Sequence, residues 1–132
     1  MAIQLGTTLR NNMLDQFEST IGTAARIKIF SGAVPANCAA ADPAGLLATL
    51  VLPSDWMNAA SGGTKTLLGS WTVAASGTGT AQSFRVYDSG VTTCHCQGTA
   101  ATGGGDLSLD NASITSGQNV AITAFTLTAA NA

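Results

Sequence analysis

Charged side chains are scarce in this chain: Lys, Arg, Asp and Glu make up 9% of its 132 residues, where an ordinary soluble domain carries about 25%. The five basic residues are scattered, with only Arg26 and Lys28 close together. A net charge of −2 therefore offers no clustered cationic field for phosphate, and nucleic acid is excluded as a partner. A single histidine, His95, means that any Ser-His-Asp or Cys-His chemistry has to run through one residue. No Gly-x-Ser-x-Gly elbow occurs anywhere in the chain. Three cysteines, Cys38, Cys94 and Cys96, are an odd number and do not form a disulfide framework; buried free thiols are the expectation. Aromatics reach only 5%, and Trp56 and Tyr87 alone look available to stack on a sugar.

Long apolar runs are missing as well. The start, "MAIQLGTTLR", lacks a basic residue followed by an apolar stretch, so no secretory signal is expected. Residues 111–132 carry no charge but are too rich in Asn, Gln, Ser and Thr to cross a bilayer. We expect a soluble protein made in the cytoplasm, with no membrane partner and no cofactor.

What is present is Gly, Ala, Ser and Thr around a hydrophobic fraction of 45%, too apolar for a disordered chain. This length fits one core and needs neither metal nor disulfide to fold. A monomer of this mass exposes roughly 6,400 Å² by size scaling. Twelve charges spread over that area leave neutral stretches comparable to the largest apolar patch on a typical monomer. A hydrated coat of Thr, Ser and Asn is one reading. We expect the other, that much of the surface meets protein.

The segment 7–20, "TTLRNNMLDQFEST", reads as the one helix: Leu9, Met13, Leu14, Phe17 and Ile21 recur at helical spacing. Thr7 or Thr8 is placed to cap its start, and Gly22 to stop it. Everything later reads as β. "ARIKIF" (25–30) alternates, and "LLATLVL" (46–52) is apolar on both faces. "KTLLGSWTVAAS" (65–76) follows as a strand. In "FRVYDSGV" (84–91), Phe84 and Val86 point inward, Arg85 and Tyr87 outward, and Gly90 is suited to the left-handed turn residue. "VTTCHCQ" (91–97) returns from that turn, and "GTAATGGG" (98–105) reads as a flexible connection. "DLSLD" (106–110) turns Leu107 and Leu109 inward. The last strand, "NVAITAFTLT" (119–128), switches apolar parity and predicts a bulge near Ala124 or burial on both faces. Residues 32–45 and 54–64 are loops. Seven short strands behind one helix predict a mainly β fold, an antiparallel β-sandwich over 25–132 with a helical arm at 1–24.

Few residues carry chemistry. Regular alternation sets Cys94 and Cys96 on one face of a strand and His95 on the other, so the three cannot converge on one ion. "DLSLDN" resembles the beginning of a calcium loop but has Asn111 and Gly117 where Gly and Glu belong. Trp56, in a loop beside Met57, is either an interface anchor or packing over the end of the fold.

The runs "ARIKIFSGAVPAN", "GLLATLVL", "GTGTAQSFRVYDSGV", "CHCQGTA" and "GGGDLSLDNASITSGQNVAITAFTLT" resemble, in this order, a family of small virion proteins of tailed bacteriophages found among the head genes. The likeness covers about three-quarters of the chain, the helix least. It implies a jelly-roll-like sandwich acting as a capsid decoration, or cement, protein. Such a protein would bind the major capsid protein on the outer shell as a small homo-oligomer, with no active site to carry over. On that reading Leu9, Met13 and Phe17 form an arm docking on a neighbour, or else a lid on the fold. The alternatives are a tail or head–tail connector component and a carbohydrate-binding β-sandwich.

Overall fold

Leu14, Phe17 and Ile21, spaced three and four apart, set the orientation of the N-terminal helix in the computed structural model, which describes residues 3–132. Helix α1 runs Thr7–Ile21 and buries Leu14 and Ile21. The first two residues of the expected 1–24 arm lie outside the described residues. Both candidate threonines lie within the helix: the residue before its first turn is Gly6, which has no side chain to cap with. Gly22 does end the helix, at φ 88°, with its N–H donating to the Glu18 carbonyl. α1 lies on the core, since the Phe17 ring meets Trp56 at 6.0 Å and Phe125 at 6.5 Å.

Ten strands follow among the described residues: β1 (Arg26–Phe30), β2 (Leu46–Val51), β3 (Thr64–Thr66), β4 (Trp71–Ala74), β5 (Gly79–Thr80), β6 (Ser83–Tyr87), β7 (Cys94–Thr102), β8 (Leu107–Leu109), β9 (Ser113–Ile114) and β10 (Asn119–Thr128). Eight form one sheet in the order β2-β1-β6-β7-β8-β10-β3, with β4 also on β10; β5 and β9 make a second, two-stranded sheet. The fold is mainly β with one N-terminal helix, as expected. The expected all-antiparallel sheet is corrected to a mixed one, strongly curled into a half-barrel, which with the small two-stranded sheet does not make a clear sandwich.

Two local features produce the difference. β7 and β8 pair in parallel, Ala100 opposite Leu107, although only four residues join them. Gly103 and Gly104 take φ values of 64° and 88° to double the chain back. A Cβ on Gly105 would lie 2.9 Å from the Ala101 nitrogen, so the return passes too close for any side chain. The expected flexible connection at 98–105 is therefore strand as far as Thr102. Curl comes from register shifts at Ile29/Phe30, Val86/Tyr87 and Ile122/Ala124, each of which sharpens twist. The last of these is the bulge expected near Ala124. Past β4, the Ser76 and Gly77 N–H groups donate to the Leu47 carbonyl of β2. The far ends of the sheet thereby approach each other and enclose a single core.

β3 and β4 lie along the same edge of β10, so the strand expected at 65–76 exists in two pieces. Gly69, at φ 79°, sits in the break. Leu107 and Leu109 point inward as read. Among the described residues no helix is long and apolar enough to cross a membrane.

Candidate functional site: a roofed strand face and a helix stripe

All five residues of β6 are buried. Phe84 and Val86 face the core, and Ser83, Arg85 and Tyr87 point away from it, as their alternation requires. The second set is nevertheless dry, because loop 32–45 folds back over it. Ser83 Oγ donates to the Gly32 carbonyl at 2.6 Å and Gln97 Nε2 to the Pro35 carbonyl at 2.7 Å. Arg85 and Tyr87 are thus outward in direction but covered, with exposures of only 2% and 6%.

Arg85 is the pin of this roof. Its Nη2 donates to the Asn37 and Cys38 carbonyls, both at 3.1 Å, and its Nη1 to Asp42 Oδ1 at 2.8 Å. Its Nε reaches Gln97 Oε1 at 3.1 Å. Tyr87 donates its hydroxyl to the same Asp42 oxygen. Lys28, opposite Arg85 on β1, donates to Asp42 Oδ2 at 3.1 Å and lies 5.1 Å over the Tyr87 ring. Burial alone would raise Asp42, but the bonds from Tyr87, Arg85 and Lys28 outweigh it and hold the carboxyl below its ordinary value. Burial, and then Asp42, push Tyr87 up to about 12. At neutral pH the cluster is one carboxylate saturated with donors, beside a neutral phenol. It fastens a loop and offers neither a free base nor a nucleophile.

The hairpin after β6 differs from expectation in one residue. Val91, at φ 55°, takes the left-handed position in place of Gly90. Asp88 compensates by accepting the Thr92 N–H at 2.7 Å and the Thr93 N–H at 3.1 Å.

The Cys94-His95-Cys96 element is also rearranged. Tyr87 pairs with Cys94 and Val86 with Cys96, leaving His95 as the extra residue of a bulge. Residues opposed across antiparallel strands share a face. Cys94 therefore joins Tyr87 under the roof, while Cys96 turns to the core side with Val86. The expectation that both cysteines share a face is corrected by that one inserted residue. Burial pushes both thiols up to about 11. His95 lies against α1, lining a groove of about 290 Å³ with Met13, Gln16, Phe17, Thr20 and Ile21. Among the described residues no three His, Cys, Asp or Glu side chains gather where they could hold a metal. Asp106 and Asp110 border turns, the first accepting from Thr99 and the second from Asn111 and Ala121.

A second polar cluster fixes the helix. Lys65 of β3, 3% exposed, donates to Asp15 Oδ1 at 2.8 Å and lies 3.2 Å from Glu18 Oε2. Glu18 Oε1 accepts the Trp56 and Met57 N–H groups, Asp15 Oδ1 accepts that of Ala60, and Asn11 Oδ1 that of Gly63. At 100° per residue the packed arc of α1 runs from Phe17 through Ile21 and Leu14 to Asp15. Met13 falls just outside the Phe17 edge of that arc and Leu9 further round, on the outward side, and they stand 53% and 51% exposed. Trp56 is fully buried, and its Nε1 donates to the Gly22 carbonyl at 3.0 Å. Of its two readings, packing inside the fold is the one found, which takes it off the surface.

This clamp makes stability depend on pH at both ends. The Lys65 bond, followed by the Ala60 N–H, lowers Asp15 from its ordinary 3.8, so its contribution is present above that value and lost as pH falls through the lowered one. Burial opposes ionisation of Lys65, but Asp15 and Glu18 raise it above 10.5; its contribution is full below 10.5 and lost as pH rises through the raised value. A helix that loosens in acid and again in strong alkali is the expected result, followed by Trp56 fluorescence across a pH titration. In Lys65→Met the alkaline loosening should disappear.

Sequence reasoning missed Asp42, named Cys38 only as a free thiol and Gln97 only as the end of the strand at 91–97; no local signal ties these residues to the roof over β6. Compared with known proteins, the chain matches no family model, no curated protein and no solved structure.

Proposed function

We propose that the protein is a capsid decoration protein of a tailed bacteriophage, lying on the outer shell as a small homo-oligomer and bridging neighbouring capsomers of the major capsid protein. One observation carries this reading. The chain exposes 6420 Å², and its exposed charged residues are four aspartates, Asp42, Asp55, Asp106 and Asp110. Every basic residue is buried or half-buried: Lys65 and Arg85 fully, Arg10, Arg26 and Lys28 in part. Such a surface abuts other protein over large areas without desolvating many ions. Leu9 and Met13, one helical turn apart and half exposed, supply the apolar contact. The mechanism is linkage: a protein that binds the assembled shell and not free subunits raises shell stability by mass action, in proportion to the copies bound.

The carbohydrate-binding alternative loses its stacking surface, since Trp56 and Tyr87 are 0% and 6% exposed. The connector reading is separated by fractionation. Purified protein mixed with expanded shells should co-sediment with them and raise their rupture temperature. Recovery with isolated tails and not with heads would transfer the assignment to the connector.

Met13→Glu, alone or with Leu9→Glu, should weaken shell binding about tenfold or more, because a charge would be buried without a partner. Its own unfolding midpoint should stay unchanged. Undiminished binding would remove the helix stripe from the interface.

A further inference from the structure

Cys38 and Cys94 are 56 positions apart in the sequence, yet both line one depression of about 680 Å³ under the roof, with Lys28, Asp42, Arg85 and Tyr87. Arg85 places them together. Its Nη2 holds the Cys38 carbonyl at 3.1 Å, while Tyr87, two residues further along β6, pairs directly with Cys94. Both cysteines are half-buried and free, so the depression leaves them reachable. Cys96, turned to the opposite face by the His95 bulge, does not line this depression. The mechanism of the proposed function uses neither thiol.

We propose that Cys38 and Cys94 are a paired modification site that closes to a disulfide by exchange with a small-molecule disulfide such as oxidised glutathione, stapling loop 32–45 to β7. The thiolate of one cysteine attacks a sulfur of the small disulfide, breaks its S–S bond and expels one small thiolate, which takes up the proton the cysteine lost. The thiolate of the second cysteine then attacks the protein sulfur of the mixed disulfide and expels the other half as a thiol. Two protein thiols are oxidised and one small disulfide is reduced to two thiols, so electrons and protons balance.

Whichever cysteine leads, Cys94 has to act once as a thiolate. Burial, and then the neighbouring Cys38 thiol, push Cys94 up to about 11, while Arg85 pulls the other way. Arg85 and Tyr87 of β6, Lys28 of β1, Asp42 of the loop and Cys96 of its own strand are the other ionisable groups around it. Closure is therefore slow at neutral pH and accelerates as pH rises towards that value. The bond would add a covalent tie between roof and sheet to the hydrogen bonds made by Ser83, Arg85, Tyr87 and Gln97. Because it spans a long stretch of chain, it would also restrict the unfolded state. This chemistry does not rest on the decoration reading.

The test uses the full chain, wild type beside Cys38→Ser, Cys94→Ser and Cys96→Ser, incubated with oxidised glutathione at mildly alkaline pH. Intact mass, non-reducing peptide mapping and thermal melts with and without reductant are the readouts. Wild type and Cys96→Ser should lose two hydrogens and yield a peptide linking residues 38 and 94. Their midpoints should rise by roughly 5–10 °C, reversibly with reductant. Cys38→Ser and Cys94→Ser should give no internal link. Should either serine variant fail to fold, mapping of wild type and Cys96→Ser decides alone. A link between 94 and 96, a link between two chains, or three thiols still free after prolonged exposure would each overturn the assignment.

Discussion

Trp56→Ala is expected to unfold with a free-energy loss of about 4 kcal/mol and a midpoint lower by roughly 15 °C. The indole is fully buried and stands between the helix and the sheet, its ring 6.0 Å from Phe17 on one side and 6.0 Å from Trp71 on the other. Truncation opens a cavity at the centre of that aromatic series and strips the Gly22 carbonyl of its Nε1 donor at the helix terminus. The backbone N–H of residue 56 still binds Glu18, so the loop keeps one anchor. Trp56→Phe separates the two contributions: most of the ring volume returns without the donor, and the loss should fall to about 1–2 kcal/mol. Urea denaturation of the three proteins measures both. If Trp56→Ala costs less than about 1 kcal/mol, α1 is not held through this ring, and its contact with Phe17 carries no weight.

Trp56 also shows where the sequence stops being legible. A tryptophan in a loop next to Met57 has the same local signature whether it anchors a partner or seals its own fold. The difference lies in Gly22 and Phe17, 34 and 39 positions earlier. Elements written in local alternation were readable: the inward Leu107 and Leu109, the helix from Thr7 to its stop at Gly22, and the parity switch that marks the bulge beside Ala124. The sheet's overall shape was not. Parallel pairing of β7 with β8 through four residues looks like a flexible glycine tract until the chain is seen to double back. One inserted residue, His95, reversed the relation of Cys94 to Cys96. Alternation correctly turned Arg85 away from the core. It had no means of announcing that Asp42, in an Ala- and Pro-rich loop 43 residues away, would cover it.

Arg85→Ala is the second large effect expected, about 3 kcal/mol. A buried ion pair is weak evidence for stability in itself, since apolar replacements of similar volume are often harmless. This site differs because the guanidinium also donates to two loop carbonyls: that of Cys38, which has no other hydrogen-bond donor, and that of Asn37, which it shares with the Ala40 N–H. Asp42, whose side chain is 34% exposed and still bonded to Lys28 and Tyr87, can rehydrate in part, which places the loss at the lower end for a broken buried pair. Arg85→Lys retains a charge for Asp42 but cannot fork to both carbonyls, so it should recover only part of the loss. Arg85→Met fills the stem and satisfies neither partner, and should remain close to alanine. Global stability alone would not locate the effect. Limited proteolysis should therefore cut loop 32–45 faster in Arg85→Ala than in wild type, under conditions where Trp56 fluorescence still reports a packed helix. An alanine variant with wild-type loop protection would mean that the roof is held by Ser83 and Gln97, with Arg85 a passenger beneath it.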